Sequence, residues 1–162
     1  MEITLENLKR SARAVRAMEL HKGGFNCAQA VFLAFSDLYP FDETTAARIA
    51  GPLGGGLGGQ HEVCGAVSAM ALVLGTARGY SDPADKAAKA ALYRRVQACS
   101  GQYNAITGSI ICRELLGLDR NGAPLPAGER PKSGKIPCRT LVGLCAAILE
   151  RDLAESEDTE TA

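Results

Sequence analysis

The chain has 162 residues, of which 46% are hydrophobic and 22% charged, with no Trp. A chain of this length and make-up folds as one globular domain that buries roughly 70% of its unfolded surface, which excludes a fibre, a disordered tail or a peptide. Its 18 basic and 18 acidic side chains cancel, leaving no global field to hold a nucleic acid or an anionic membrane.

With 26 Ala and 18 Leu against 14 Val plus Ile, the composition favours helices, and no alternating strand stands out. Leu5, Leu8, Ala12 and Val15 recur at helical spacing and predict an amphipathic helix ending near Gly23-Gly24. Asn26 is the expected N-cap of a second helix through Asp37, with Val31, Phe32, Phe35 and Leu38 as its apolar stripe and Cys27 at its first position. Asp42 caps a short helix to about Ala50, which Gly51-Pro52 stops.

The glycine stretch Gly54 to Gly59 comes next. Val63 to Leu74 then reads as a central helix buried on every side, with Cys64 in its first turn. Asp82 and Pro83 are the expected N-cap and first residue of a helix running through Cys99 toward Gly101. Gly108-Ser109 breaks and recaps the chain, placing Cys112 three residues into a short helix that Gly117 ends. Residues 119–137 hold four Pro and three Gly and read as a surface loop. A final helix begins near Cys138. The expected fold is an all-α, single-domain bundle of about six helices over residues 1–154, with a disordered acidic tail at 155–162.

The longest strongly apolar run, Val63 to Gly75, has 13 residues, short of the roughly 20 that span a bilayer. No membrane insertion is expected, the polar N-terminal segment has no signal-peptide core, and the reading is cytoplasmic. Six Cys are too sparse for a disulfide scaffold and many for a domain in a reducing compartment, which points to metal, cluster or redox chemistry. Cys27, Cys64, Cys112 and Cys138 all fall in first turns of predicted helices, where unpaired N–H groups and the helix dipole stabilise thiolates. Cys99 lies deep in a helix. Cys145 is seven residues after Cys138, about 10.5 Å along one helix, too far for a disulfide. Both read as packing residues.

No CxxC occurs, so neither a thioredoxin motif nor zinc-ribbon pairing is present. The four candidates are separated by 36, 47 and 25 intervening residues, so any shared site must be assembled by the fold. Four converging thiolates suit a tetrahedral zinc or an iron–sulfur cluster, and spacing leaves both open. Cys112 and Cys138 share the pattern C-R-x-L-(L/V)-G, and Arg113 and Arg139 would offset the charge of either group.

Gly54, Gly56 and Gly59 formally spell GxGxxG, but no strand precedes them, so a dinucleotide loop is not expected. Gly56, Gly58 and Gly59 read instead as backbone that approaches a buried group and aims amides at it, with a flexible connection as the alternative. His61, beside Glu62 and Cys64, is a candidate ligand or proton donor, or else an exposed loop residue. His21 suits a helix C-terminus and needs no further role.

Gly24-Phe25-Asn26-Cys27-Ala28-Gln29-Ala30-Val31, the stretch Gly54 to Gly75 with Val63-Cys64-Gly65-Ala66-Val67, Gly108-Ser109 with Cys112 to Gly117, and Pro137-Cys138 together resemble the redox-active C_GCAxxG_C_C family. The chain has Val63-Cys64-Gly65-Ala66 where the family name spells Gly-Cys-Ala. The resemblance extends to a domain of split-Soret cytochromes that carries an iron–sulfur centre beside haem. It implies Cys27, Cys64, Cys112 and Cys138 as cluster ligands in an all-helical, dimeric fold. Covalent c-type haem is not expected, since CxxCH is absent.

The leading expectation is therefore a small redox protein passing electrons to a partner protein through an iron–sulfur cluster. A second is a thiol/disulfide enzyme with Cys64 as nucleophile and Cys27 as the other thiol. A third is a helical interaction module, zinc-stabilised or metal-free.

Overall fold

The computed structural model describes residues 2–160, with side chains throughout except at 132 and 156–160. Capping side chains set most helix starts. Ser11 accepts from the Ala14 amide at 3.0 Å and opens α1 (Ala12–Lys22). Asn26 opens α2 (Cys27–Leu33) in a capping box: its side chain accepts from the Gln29 amide at 2.9 Å, and the Gln29 side chain accepts from the Asn26 amide at 3.1 Å. Asp42 accepts from the Thr45 amide at 2.6 Å and opens α3 (Glu43–Ala50). Each cap satisfies an N–H that has no partner inside its helix.

After a glycine turn come α4 (Gly65–Arg78), α5 (Lys86–Thr107), α6 (Cys112–Leu116) and α7 (Cys138–Glu160). These seven helices, with two isolated bridges and no strand among the described residues, make a single all-α domain. Several boundaries differ from expectation. Leu8 lies in a 3₁₀ turn ahead of α1. α2 stops at Leu33, where the Arg13 guanidinium takes the Ala34 carbonyl at 2.8 Å and pairs with Asp37. The cap of α5 is Asp85, accepting from Ala88 at 2.9 Å, because Asp82 is used in the preceding turn by the Ala84 amide. Ser109 is not a helix cap: its hydroxyl accepts from Ile111 and meets Glu114, so Cys112 is the first residue of α6 rather than the third.

α7 is the helix on which the others assemble. It packs against α1, α2, α4 and α5, and every residue from Leu141 to Leu149 is buried. Gly143 makes the α1 crossing close, since a Cβ there would stand 2.8 Å from the Met18 sulfur. α4, expected to be buried all round, is covered by α2, α5 and α7 but leaves Ser68, Ala71, Leu72 and Gly75 half-exposed. The first half of α5 stands away from it, with residues 86–91 exposed except at Ala88. An Arg95–Asp152 ion pair at 3.1 Å ties α5 to α7.

No helix among the described residues is long and apolar enough to cross a membrane. The α7 backbone runs to Glu160, into the segment expected as an acidic tail; residues 161–162, and the side chains from 156 on, lie outside the described residues.

Candidate functional site

Three of the six cysteines are first residues of helices, Cys27 of α2, Cys112 of α6 and Cys138 of α7, and Cys64 is the N-cap of α4. The fold gathers these four starts. Cys27 and Cys138 hydrogen-bond through their side chains. The start of α4 abuts that of α2: a Cβ on Gly65 would lie 3.4 Å from Ala28 Cβ and 2.8 Å from the Leu53 carbonyl, so glycine is what lets the start of α4 fit against the Leu53 turn beside α2.

Cys64 and Cys112 are joined by an antiparallel bridge at Val63 and Ile111. The Cys64 amide donates to the Ile110 carbonyl at 2.8 Å and the Cys112 amide to the Glu62 carbonyl at 2.6 Å. Side chains alternate across such a bridge, so Cys64 and Cys112 share the face opposite Val63 and Ile111. Gly56 closes the other side of Cys112. Its φ is +60°, and a Cβ there would sit 2.7 Å from Cys112 Cβ and 2.8 Å from the Glu62 amide nitrogen.

The electrostatics follow from this crowding. Cys27 is acted on by Cys138, Cys64 and Cys112; Cys112 by Cys64 and Cys138; and Cys64 by Cys138, so every pairing of the four is in electrostatic reach. The Cys27 thiol is pushed up by its hydrogen bond to Cys138 and by burial, while the same hydrogen bond lowers Cys138 to about 7. Burial raises Cys64. It also takes Cys112 to about 11, together with the charges of Cys64 and Cys138 and against the pull of Arg113. Like charges and desolvation oppose four bare thiolates in one place.

Three further polar groups reach the sulfurs. His61 Nδ1 is 3.4 Å from Cys112 Sγ, His21 Nε2 is 3.8 Å from Cys27 Sγ, and the Tyr103 hydroxyl is 3.8 Å from Cys64 Sγ. The sequence has only two His, and both stand on this site. His61 has a left-handed backbone, φ 57°, and its ring stands at the Cys112 sulfur. His21 follows from folding: α1 ends at Lys22 and the Gly23-Gly24 turn returns the chain to Cys27. Tyr103 carried one sequence signal, its place with Cys99 and Thr107 at four-residue spacing on what becomes the buried stripe of α5.

Other candidates lie differently. Arg113 pairs with Glu62 and touches the Gln60 carbonyl at 3.4 Å, acting on Cys112 through its charge. Arg139 pairs with Glu19 at 2.9 Å across α1 and α7. Gly56 makes the expected close approach. The Gly58 and Gly59 amides both donate to the Gly54 carbonyl, inside the loop. Cys99 and Cys145 are buried; Cys99 is pushed up to about 12 by burial and Asp152, and burial raises Cys145.

Among the described residues no three His, Cys, Asp or Glu side chains are grouped so as to hold one metal ion. A single zinc needs its sulfurs about 2.3 Å from one centre, and the four thiols do not present that arrangement. By donor type the four soft thiols would suit an iron–sulfur cluster.

The four cysteine segments match a family model described as "Putative redox-active protein (C_GCAxxG_C_C)" over residues 25–151. The chain belongs to this family. The C_GCAxxG_C_C match begins two residues before Cys27 and ends beyond Cys145, so it takes in all four helix-start cysteines and the glycine turn. No curated protein and no solved structure matches the chain.

Proposed function

We propose that the chain is a small redox protein in which Cys27, Cys64, Cys112 and Cys138 bind an iron–sulfur cluster and pass electrons to a partner protein. The observation that carries this reading is the meeting of four thiols from four separate segments, every pair in electrostatic reach. A dithiol needs two such cysteines and a packing role needs none. When bound, the cluster supplies a one-electron store. The chain supplies the rest. Helix starts direct N–H groups and positive dipole ends at ligand sulfurs, Gly56 admits Cys112, and buried Cys64 excludes water from one side.

All six cysteines are free thiols, which suits a reducing compartment such as the cytoplasm. A second copy of the chain is the occupant we assign to the apolar groove of about 380 Å³ lined by Ala71, Leu92, Tyr93, Val96 and Gln97, in keeping with the dimer that the family resemblance implies.

The test is anaerobic purification with iron, zinc and acid-labile sulfide counted on one sample. The expected protein is brown, with near-equal iron and sulfide. The colour should be lost in each Cys→Ser variant at 27, 64, 112 and 138 and kept at 99 and 145. Wild-type protein that stays colourless after reconstitution overturns the proposal.

The Cys27–Cys138 hydrogen bond favours a second reading, a thiol/disulfide couple. The Cys138 thiolate would attack a substrate disulfide and release one thiolate; Cys27 would then displace the other, leaving a Cys27–Cys138 disulfide and a reduced dithiol. The nucleophile in this arrangement is Cys138, because burial works against Cys64. Exchange activity in metal-free protein that survives Cys64→Ser and Cys112→Ser would favour it.

A further inference from the structure

Tyr103 is wholly buried on α5, and among the described residues its hydroxyl has one hydrogen-bond partner, the Cys64 sulfur at 3.8 Å. A phenylalanine would fill the same volume without desolvating a hydroxyl, so the oxygen needs a partner that justifies its burial. A neutral thiol is a weak acceptor. An anionic sulfur is a strong one, because a bond to a charged acceptor is about twice as strong as a neutral one. A phenol, whose ordinary pKa is about 10, keeps its proton at neutral pH and remains a donor.

We propose that Tyr103 is a positioning residue for the redox site, donating its hydroxyl to Cys64 as a ligand thiolate and raising the potential at which the site accepts an electron. This rests on the cluster reading above. The site gains one electron from its partner protein, no proton leaves Tyr103, and no bond is made or broken at the ring. The added negative charge strengthens the O–H···S bond, so the reduced state is stabilised more than the oxidised one. His61 and His21 face Cys112 and Cys27, which are also near the sulfur site, but both rings are partly exposed and water can stand in for them. Water cannot replace the Tyr103 hydroxyl.

The experiment is a spectroelectrochemical titration of reconstituted wild type, Tyr103→Phe, and protein carrying trifluorotyrosine at position 103, with iron and sulfide counted in each. Tyr103→Phe should bind the wild-type amount of both and titrate at a more negative potential. The fluorinated phenol, a stronger donor, should move the potential the other way. Full loading with both potentials unmoved, or both moved in one direction, overturns the role of Tyr103 while leaving the cluster standing. A wild type that takes up no iron and sulfide overturns both. If Tyr103→Phe alone fails to load, the fluorinated protein decides: a positive shift supports the proposal and an unchanged potential overturns it.

Discussion

Cys138 sits at the first turn of α7 and accepts a hydrogen bond from the Cys27 thiol, and these two donors outweigh the cost of its burial. In metal-free protein its alkylation by iodoacetamide should therefore rise as pH climbs through about 7, rather than near the ordinary thiol value of about 8.5. The sign follows from the thiolate being the reactive form, scarce below that pH and dominant above it. Cys27→Ala removes the donor and should shift the midpoint upward; an unmoved midpoint, read by mass spectrometry, would break the link between the two. The helix starts at Cys27 and Cys138 were legible in the sequence because they are marked locally, by Asn26 before Cys27 and by Pro137 before Cys138. Of the groups that touch the sulfurs, His61 was legible beside Cys64 in the sequence, and the other two were not. His21 reaches Cys27 only because a two-glycine turn folds back, and Tyr103 reaches Cys64 across 39 positions, distances over which residue type carries no signal.

Among the elements, the glycine turn separates two reasons for needing glycine. Gly55 and Gly56 both have φ of +60°, yet a Cβ on Gly55 meets nothing within 4 Å, while one on Gly56 strikes Cys112 and Glu62. Gly55→Ala should thus cost only the left-handed strain, about 1–2 kcal/mol. Gly56→Ala should cost about 1–3 kcal/mol more from overpacking and abolish iron uptake, which Gly55→Ala keeps. Urea unfolding and iron counts check both, and equal behaviour of the two variants would remove Gly56 from the site. The shared C-R-x-L-(L/V)-G pattern was visible in the sequence, but its two glycines do unlike things. Gly117 ends α6 with φ 66°, whereas Gly143 lies inside α7 and admits Met18. The Val63–Ile111 bridge was not legible at all. A single pair of bridging residues has no alternation to read.

At the scale of the molecule, composition sufficed for the all-α class, and what it could not supply was which helix lies innermost. Val63 to Leu74 looks more apolar, but three neighbours cover α4 incompletely, and the continuous burial falls on α7. The surface left open beside α4 and α5 is the one proposed above for a second copy. Tyr93, 52% exposed, lines it, so Tyr93→Glu should convert a sedimenting dimer into monomer without loss of iron; a wild type that sediments as monomer would refute the assignment. The placement of the ligands has a consequence for how the protein is made. Cys27 belongs to the second helix and Cys138 to the last, so a cluster bound as proposed would close a loop spanning most of the chain, a constraint worth about 4–5 kcal/mol against unfolding when roughly a hundred residues are enclosed. A chain emerging from the ribosome holds its thiols apart until the final helix is released. Capture of the proposed cluster would thereby act as a proofreading step that truncated or half-folded copies fail, leaving them without that constraint.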